Sequence, residues 1–165
     1  MRKVLLRRVY QTICDATPLK SDCGKLCSNA CCKGDSGSGM WLFPGEKEHL
    51  ATNRNRHTFD ILEGDAGIVV CSGSCERGVR PLSCRIFPIF PVTTIYNRSG
   101  KAKVTAPFDI RAIRICPLAD PESETIEGSF RRRVRLAGKL LCRNREAMEF
   151  LKERSRELMD IARLL

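Results

Sequence analysis

Four cysteines fall within ten residues in the stretch Cys23-Gly-Lys-Leu-Cys27-Ser-Asn-Ala-Cys31-Cys32. On an α-helix, residues four apart lie on one face, with about 6 Å of rise between them. Two thiolates one turn apart can grip a tetrahedral Zn²⁺ ion, whose Zn–S bonds are about 2.3 Å long. The spacing therefore predicts a helical segment that binds metal, and if Ser21 or Asp22 caps this helix, its N-terminus would also favour the nearby thiolates.

Further cysteines extend this pattern along the chain, at Cys71, Cys75, Cys84 and Cys116. Because Cys31 and Cys32 are adjacent, they cannot both face the same direction on a regular helix. They suit two neighbouring ions, two corners of a cluster, or a chain that turns around the metal. Eight thiolates satisfy two four-cysteine zinc sites, or one iron–sulfur cluster with four thiols to spare. The predicted ligands are Cys23, Cys27, Cys31, Cys32, Cys71, Cys75, Cys84 and Cys116.

The remaining two of the ten cysteines, Cys14 and Cys142, each lie within a helical apolar pattern. We expect both of them in the hydrophobic core, where a free thiol behaves as a small apolar group. Two arginines, Arg80 and Arg85, flank Cys84 in sequence. Their charges would lower the pKa of that thiol and offset the negative charge of a zinc–tetrathiolate centre. They are predicted to support the metal ligands from the next shell of contacts.

The segment Arg80-Pro-Leu-Ser-Cys84-Arg-Ile-Phe-Pro88 is a more specific motif than the number of cysteines alone. Together with Cys27, Cys31-Cys32, Cys71 and Cys75, it resembles the YkgJ-type, or CxxCxxCC, family of zinc- or iron-chelating proteins. The resemblance covers about residues 23–116, although the first cysteines here are separated by three residues instead of two. It implies that the eight recurring cysteines chelate zinc or iron, and it implies no particular reaction.

The amino-acid composition and the first residues indicate the cellular location of the protein. A cysteine-rich chain is usually either a secreted disulfide framework or a metal-binding protein of a reducing compartment. The longest apolar run near the start, Val4-Leu5-Leu6, is far shorter than the roughly 7–15 residues of a secretion signal. No stretch approaches the roughly 18–20 apolar residues of a membrane span. We therefore expect a cytoplasmic protein with reduced thiols and no membrane partner.

The rest of the chain predicts an α+β fold in one domain, residues 1–165. A cysteine-cluster core of about residues 14–120 contains short strands at 57–62 and 66–71 and a hairpin of 92–96 with 101–105. A helix is expected over residues 3–15 and a helical turn over 46–51. From about residue 121 a helical hairpin closes the metal-stabilised core. Its first helix carries the apolar stripe Phe130, Val134, Ala137 and Leu141, and Asn144 caps the second.

Charge leaves a second class of partner open. The net charge is +10, and residues 129–165 hold eleven Lys or Arg against five Asp or Glu. Such a stripe can bind nucleic acid, but no aromatic residues alternate with it for base stacking, and a solvated helix face is favoured. The main prediction is a metal-binding protein. The alternatives are an iron–sulfur enzyme or electron carrier and a zinc-based nucleic-acid-binding module. No complete catalytic constellation is present, so no reaction is assigned.

Overall fold

A computed structural model describes residues 1, 3–33, 39–51, 59–62, 67–71, 73, 77–95, 102–119 and 126–164. Two amphipathic helices, α5 (Gly128–Leu141) and α6 (Arg145–Arg163), form its C-terminal part. All four residues of the predicted α5 stripe are buried. The Asn144 side chain accepts a hydrogen bond from the Ala147 amide at 3.0 Å, so the predicted cap is confirmed.

The N-terminal helix α1 (Lys3–Thr12) packs against α5. Its buried side is formed by Leu6, Val9 and Tyr10, whereas Val4 is 81 % exposed. The apolar pattern of the sequence predicts a stripe of Val4, Leu5, Val9 and Ile13. Val9 and Ile13 are buried as predicted, whereas the assignment of Val4 is wrong. Leu6 and Tyr10 also follow a helical repeat with Val9, and spacing alone did not choose between them and Val4.

Two small antiparallel sheets lie between the helical parts. Strands β1 (Met40–Trp41), β2 (Phe59–Leu62) and β3 (Ile68–Cys71) form one sheet in the order β1-β3-β2. Strands β4 (Val92–Ile95) and β5 (Ala102–Thr105) form the second, with Val92 opposite Thr105. The predicted strands are confirmed within a few residues, while the connecting turns at 63–65 and 97–100 lie outside the described residues.

Short helices complete the chain: α2 (Gly24–Cys27), α3 (Glu46–Ala51) and α4 (Leu82–Ile86), with 3₁₀ turns at Ala30–Cys32, Arg77–Val79, Ile110–Arg114 and Pro117–Ala119. The main hydrophobic cluster combines residues of α1, α4, α5 and α6, including Val9, Ile86, Val134 and Leu151. A smaller cluster under the first sheet contains Leu42, Leu50, Phe59 and Val69. The α+β class expected from the sequence is confirmed. In the described part of the chain, no helix has the length and apolar character to cross a membrane.

Candidate metal centre

The first cysteine stretch does not form one continuous helix. Helix α2 ends at Cys27, and the next two residues, Ser28 and Asn29, have left-handed φ values of 49° and 56°. The following 3₁₀ turn contains Cys31 and Cys32. The Asp22 side chain accepts a hydrogen bond from the Gly24 amide at 3.1 Å. The chain therefore reverses within the cysteine stretch, so its thiols line the walls of a cavity and not a single helix face.

One cavity lies against the first sheet, and we call it the sheet-side compartment. It encloses about 520 Å³, including its open mouth. Its thiols come from the 3₁₀ turn, from the end of β3 and from α4, and they are Cys31, Cys32, Cys71 and Cys84. Apolar contributions come from Met40, Phe59, Val69 and Phe87, and Arg80 supplies a positive charge. The sheet-side compartment thus presents four sulfur donors on an otherwise mainly apolar wall.

A second cavity, of about 550 Å³ including its open mouth, adjoins the first, and we call it the loop-side compartment. Its thiols are Cys23, Cys27, Cys31, Cys84 and Cys116. Arg77 and Arg80 line it too, together with apolar residues that include Leu26 and Ile115. Neither compartment has an Asp, Glu or His in its described lining. The donor set is therefore thiol only, which is the chemistry preferred by zinc and by iron–sulfur clusters.

The two compartments adjoin each other, because Cys31, Cys84, Arg80 and Phe87 line both. Seven of the eight predicted ligands are described, and each of the seven lines at least one compartment. Cys75 lies outside the described residues.

The electrostatics of the thiols connect them within each compartment. Burial raises the pKa of Cys23, and the neighbouring Asp22, Cys116 and Cys27 raise it further, while Arg77 acts in the opposite direction. Burial also raises the pKa of Cys116, with a smaller contribution from Cys27. The loop-side thiols are thus close enough to perturb one another. The raised pKa values favour the neutral thiols, and ionising several of them together costs free energy that a bound cation would offset.

The adjacent cysteines share a proton unequally. A hydrogen bond from Cys31, then one from Cys71, lowers the pKa of the Cys32 thiol, and Arg80 adds to this effect. The same contact with Cys32, followed by burial, raises the pKa of Cys31. Of these two adjacent thiols, Cys32 therefore becomes a thiolate more readily than Cys31, and the thiolate is the form that binds metal.

Three arginines lie close together around the cysteines, but they occupy different positions. Arg80 lines both compartments. Arg85 is buried, with its Nε donating to the Arg80 carbonyl oxygen at 2.9 Å and its guanidinium lying 4.6 Å from the Tyr10 ring centre. Arg85 therefore fixes the loop that precedes α4, and it is not part of the described lining of either compartment.

Arg77 is the basic residue that the sequence did not single out. It lines the loop-side compartment, and its Nη2 donates a hydrogen bond to the Ala16 carbonyl oxygen. Its Nε is buried and has no hydrogen-bond partner. Burial, followed by the charges of Arg80 and Arg85, lowers the pKa of Arg77, and Cys23 opposes this shift. The only sequence signal was its position two residues after Cys75.

A buried carboxylate positions the helix that carries Cys84. Glu46, which is 0 % exposed, accepts hydrogen bonds from the Leu82 amide at 2.7 Å, from the Phe43 amide at 2.6 Å and from the Tyr10 hydroxyl. The Ser83 hydroxyl also donates to the Trp41 carbonyl oxygen at 2.6 Å. These contacts tie the start of α4 to α1 and β1. This role of Glu46 was not predicted from the sequence, because a Glu after Pro-Gly is typical of an exposed helix start.

The two cysteines assigned to the core lie away from both compartments. Cys14 is exposed, so its predicted place in the core is wrong. Helix α1 ends at Thr12, and Cys14 falls in the turn that follows, beyond the amphipathic repeat. Cys142 is half-buried and packs against the main cluster.

All nine described cysteines are free thiols. Within the described ranges, no group of three or more His, Cys, Asp or Glu side chains is placed ready to hold a metal ion. The thiol-only chemistry of the two compartments fits zinc or an iron–sulfur cluster, and binding would require the side chains to turn toward a common centre.

Comparison with protein-family models, with curated proteins and with solved structures gave no match to this chain.

Proposed function

We propose that this chain is a cytoplasmic metal-binding protein whose clustered thiols hold Zn²⁺ or an iron–sulfur cluster. The observation that carries the proposal is the convergence of seven cysteines, distant in sequence, on two adjoining compartments without carboxylates. Reduced thiols packed this densely repel one another once ionised, and a bound cation removes that repulsion. Arg77 and Arg80 supply the remaining compensation for an anionic thiolate centre.

The proposal includes a place in the YkgJ-type family, and it rests on the motif around Cys84. The sequence Arg80–Pro88 includes α4, and Arg80, Cys84 and Phe87 all line both compartments. The residues that carry the resemblance are therefore the ones between the two candidate sites. In this proposal the metal contributes to folding, since ligand binding energy in a small metal domain is also folding energy.

The test is elemental analysis of full-length protein purified without oxygen. Two four-thiol zinc sites predict about two equivalents of zinc in a colourless sample. A zinc content and an iron content that are both below about 0.3 equivalents would exclude a four-thiolate zinc site and a four-thiolate iron–sulfur cluster. Disulfide formation during purification is controlled by counting free thiols in the same sample.

An iron–sulfur electron carrier or enzyme is the second candidate, and the loop-side compartment favours it. Five thiols line that compartment, one more than a four-cysteine cluster needs, and Cys116 is followed by Pro117 as in ferredoxin motifs. This candidate predicts a brown protein with broad visible absorption that bleaches on reduction. Zinc without iron in the colourless sample would exclude it.

A further inference from the structure

The exposed cations of helices α1 and α5 do not line either thiol compartment. Because α1 packs against α5, the two helices lie side by side, and Arg133 Nη1 on α5 donates to the Thr12 carbonyl oxygen on α1 at 3.5 Å. Exposed basic side chains cover both helices. We call them the α1–α5 basic surface: Lys3, Arg7, Arg8, Arg132, Arg133, Arg135 and Lys139.

The two helices carry no acidic residue of their own to balance the charge on this surface. Neither Lys3–Thr12 nor Gly128–Leu141 contains an Asp or Glu. In the described part of the chain, none of the seven side chains makes an ion pair with an acidic residue. Two pairs, Lys3 with Arg7 and Arg135 with Lys139, are like charges four residues apart, a spacing that destabilises a helix.

Helix α6 shows what ordinary surface charge looks like in the same protein. Its cations alternate with acids, and Lys152 pairs with Glu149 at 2.6 Å. Arg154 likewise pairs with Glu153 and with Glu157. The charges of α6 are thus neutralised locally, as expected for a solvated face. The sequence grouped α5 and α6 into one stripe, whereas the structure separates a balanced helix from an unbalanced pair.

We infer that the α1–α5 basic surface binds the sugar–phosphate backbone of nucleic acid. Five of its seven members are arginines, whose planar guanidinium groups match phosphate oxygens in bidentate hydrogen bonds. The aromatic residues of these helices, Tyr10 and Phe130, are buried, so base stacking is not available here. Binding is therefore expected to depend on phosphate contacts and to show little sequence preference.

An anionic membrane is the competing polyanion, and the packing disfavours it. An interfacial membrane helix inserts an apolar face, but the apolar faces of α1 and α5 are buried in the core. Val4 and Leu136 are the large hydrophobic side chains on these helices that are exposed. Two isolated aliphatic side chains do not make an insertion face.

The test measures fluorescence anisotropy of a labelled duplex of about 20 base pairs with the full-length protein at several salt concentrations. We expect affinity to fall steeply with salt concentration. Each phosphate contact should add about 0.9 to the steepness of log affinity plotted against log salt concentration. The triple variant Arg8→Gln, Arg132→Gln, Arg135→Gln should weaken binding at least about tenfold and reduce the slope by about 2–3. All three side chains are exposed, so the fold should remain intact, which circular dichroism checks.

The matched control is Lys152→Gln, Arg156→Gln, Arg163→Gln on α6, which removes the same net charge. This α6 variant should keep the wild-type dependence of duplex affinity on salt concentration. An equal loss in both triple variants would overturn the inference, because net charge alone would then explain binding. No duplex binding at low salt would overturn it too. Tighter binding to phosphatidylserine vesicles than to the duplex would overturn it as well, if the Arg8, Arg132 and Arg135 variant lost that vesicle binding. The surface would then be assigned to membranes.

Discussion

The Glu46 carboxylate accepts a hydrogen bond from the Leu82 amide at 2.7 Å, two residues before Cys84 in the chain. Glu46 is fully buried, and Arg85 is the nearby cation that acts on its pKa. Tyr10, whose own pKa is raised by burial and then by Glu46, donates its hydroxyl proton to the same carboxylate. One acidic side chain thus joins the N-terminal helix to the helix between the two thiol compartments.

This carboxylate gives a pH dependence with a definite sign. Burial raises the pKa of Glu46, while the hydrogen bonds from Tyr10, Leu82 and Phe43 oppose it. The folded state therefore holds the proton more tightly than the unfolded chain. The resulting stabilisation is full below the unfolded pKa of about 4.3 and is lost as pH rises through the folded pKa.

We accordingly expect the variant Glu46→Gln, which carries no titrating proton, to gain stability relative to wild type as pH rises from about 4 to 7.5. The gain should be about 1.4 kcal/mol for each pH unit by which folding raises the pKa. Urea unfolding at several pH values measures the difference between the two proteins. The control is Glu48→Gln on the exposed side of the same helix, which should show no such trend. A difference that is flat, or of opposite sign, contradicts the prediction.

Single cysteine variants should separate the two compartments. Cys71 lines the sheet-side compartment and Cys116 the loop-side compartment. If each holds one zinc ion, Cys71→Ser and Cys116→Ser should each retain about one of two equivalents, since a four-thiolate site rarely survives loss of a ligand. Cys84→Ser should weaken both sites, because Cys84 lines both.

Zinc content after dialysis, together with the number of titratable thiols, measures these outcomes. The control is Cys14→Ser, which removes an exposed thiol outside both compartments. If Cys71→Ser and Cys116→Ser each lost all of the bound zinc, the thiols would serve one shared centre, and the two-site arrangement would be wrong.

The effect of the Arg77 charge on zinc affinity can be separated from the effect of its packing. Replacing Arg77 with Gln removes a positive charge from the loop-side compartment, and we expect zinc affinity to fall about tenfold, as for other residues that support metal ligands. The variant Arg77→Lys keeps the charge but loses the geometry of the hydrogen bond to Ala16. Its zinc affinity should therefore lie between those of wild type and Arg77→Gln. Chelator competition at low and high salt measures the affinity. Arg143→Gln, an exposed residue beyond α5, is the control, and equal affinities for Arg77→Gln and wild type would refute the role.

The sequence predicted elements that repeat an apolar pattern better than it predicted the site. The α5 stripe and the Asn144 cap depend on local rules, and both are confirmed. Glu46 and Arg77 could not be found this way, because their partners Leu82 and Ala16 are 36 and 61 residues distant. A turn of the chain near Cys31 was one of the alternatives left open, but its position at Ser28 and Asn29 was not predicted, since a spacing of three residues between cysteines fits a helix equally well. Local sequence rules cannot report contacts that tertiary packing creates.

The packing of α5 on the second sheet gives a last prediction. Gly138 lies in the middle of α5, where alanine normally stabilises a helix by about 1 kcal/mol. A Cβ atom at Gly138 would lie 2.6 Å from Pro91 Cβ and 2.7 Å from Val104 Cγ1, too close for either contact. Gly138→Ala should therefore lower the free energy of unfolding by about 1–3 kcal/mol, since the overpacking outweighs the helix propensity.

Gly128, at the first position of the same helix, is the matched site. A Cβ there would meet only Arg132 Nη1, at 3.8 Å, so Gly128→Ala should leave stability within about 0.5 kcal/mol of wild type. Urea unfolding of both variants at one pH compares them directly. Should Gly138→Ala prove as stable as Gly128→Ala, α5 would have to lie further from Pro91 and Val104. The hairpin of β4 and β5 would then no longer fix the position of the helix that carries the basic residues.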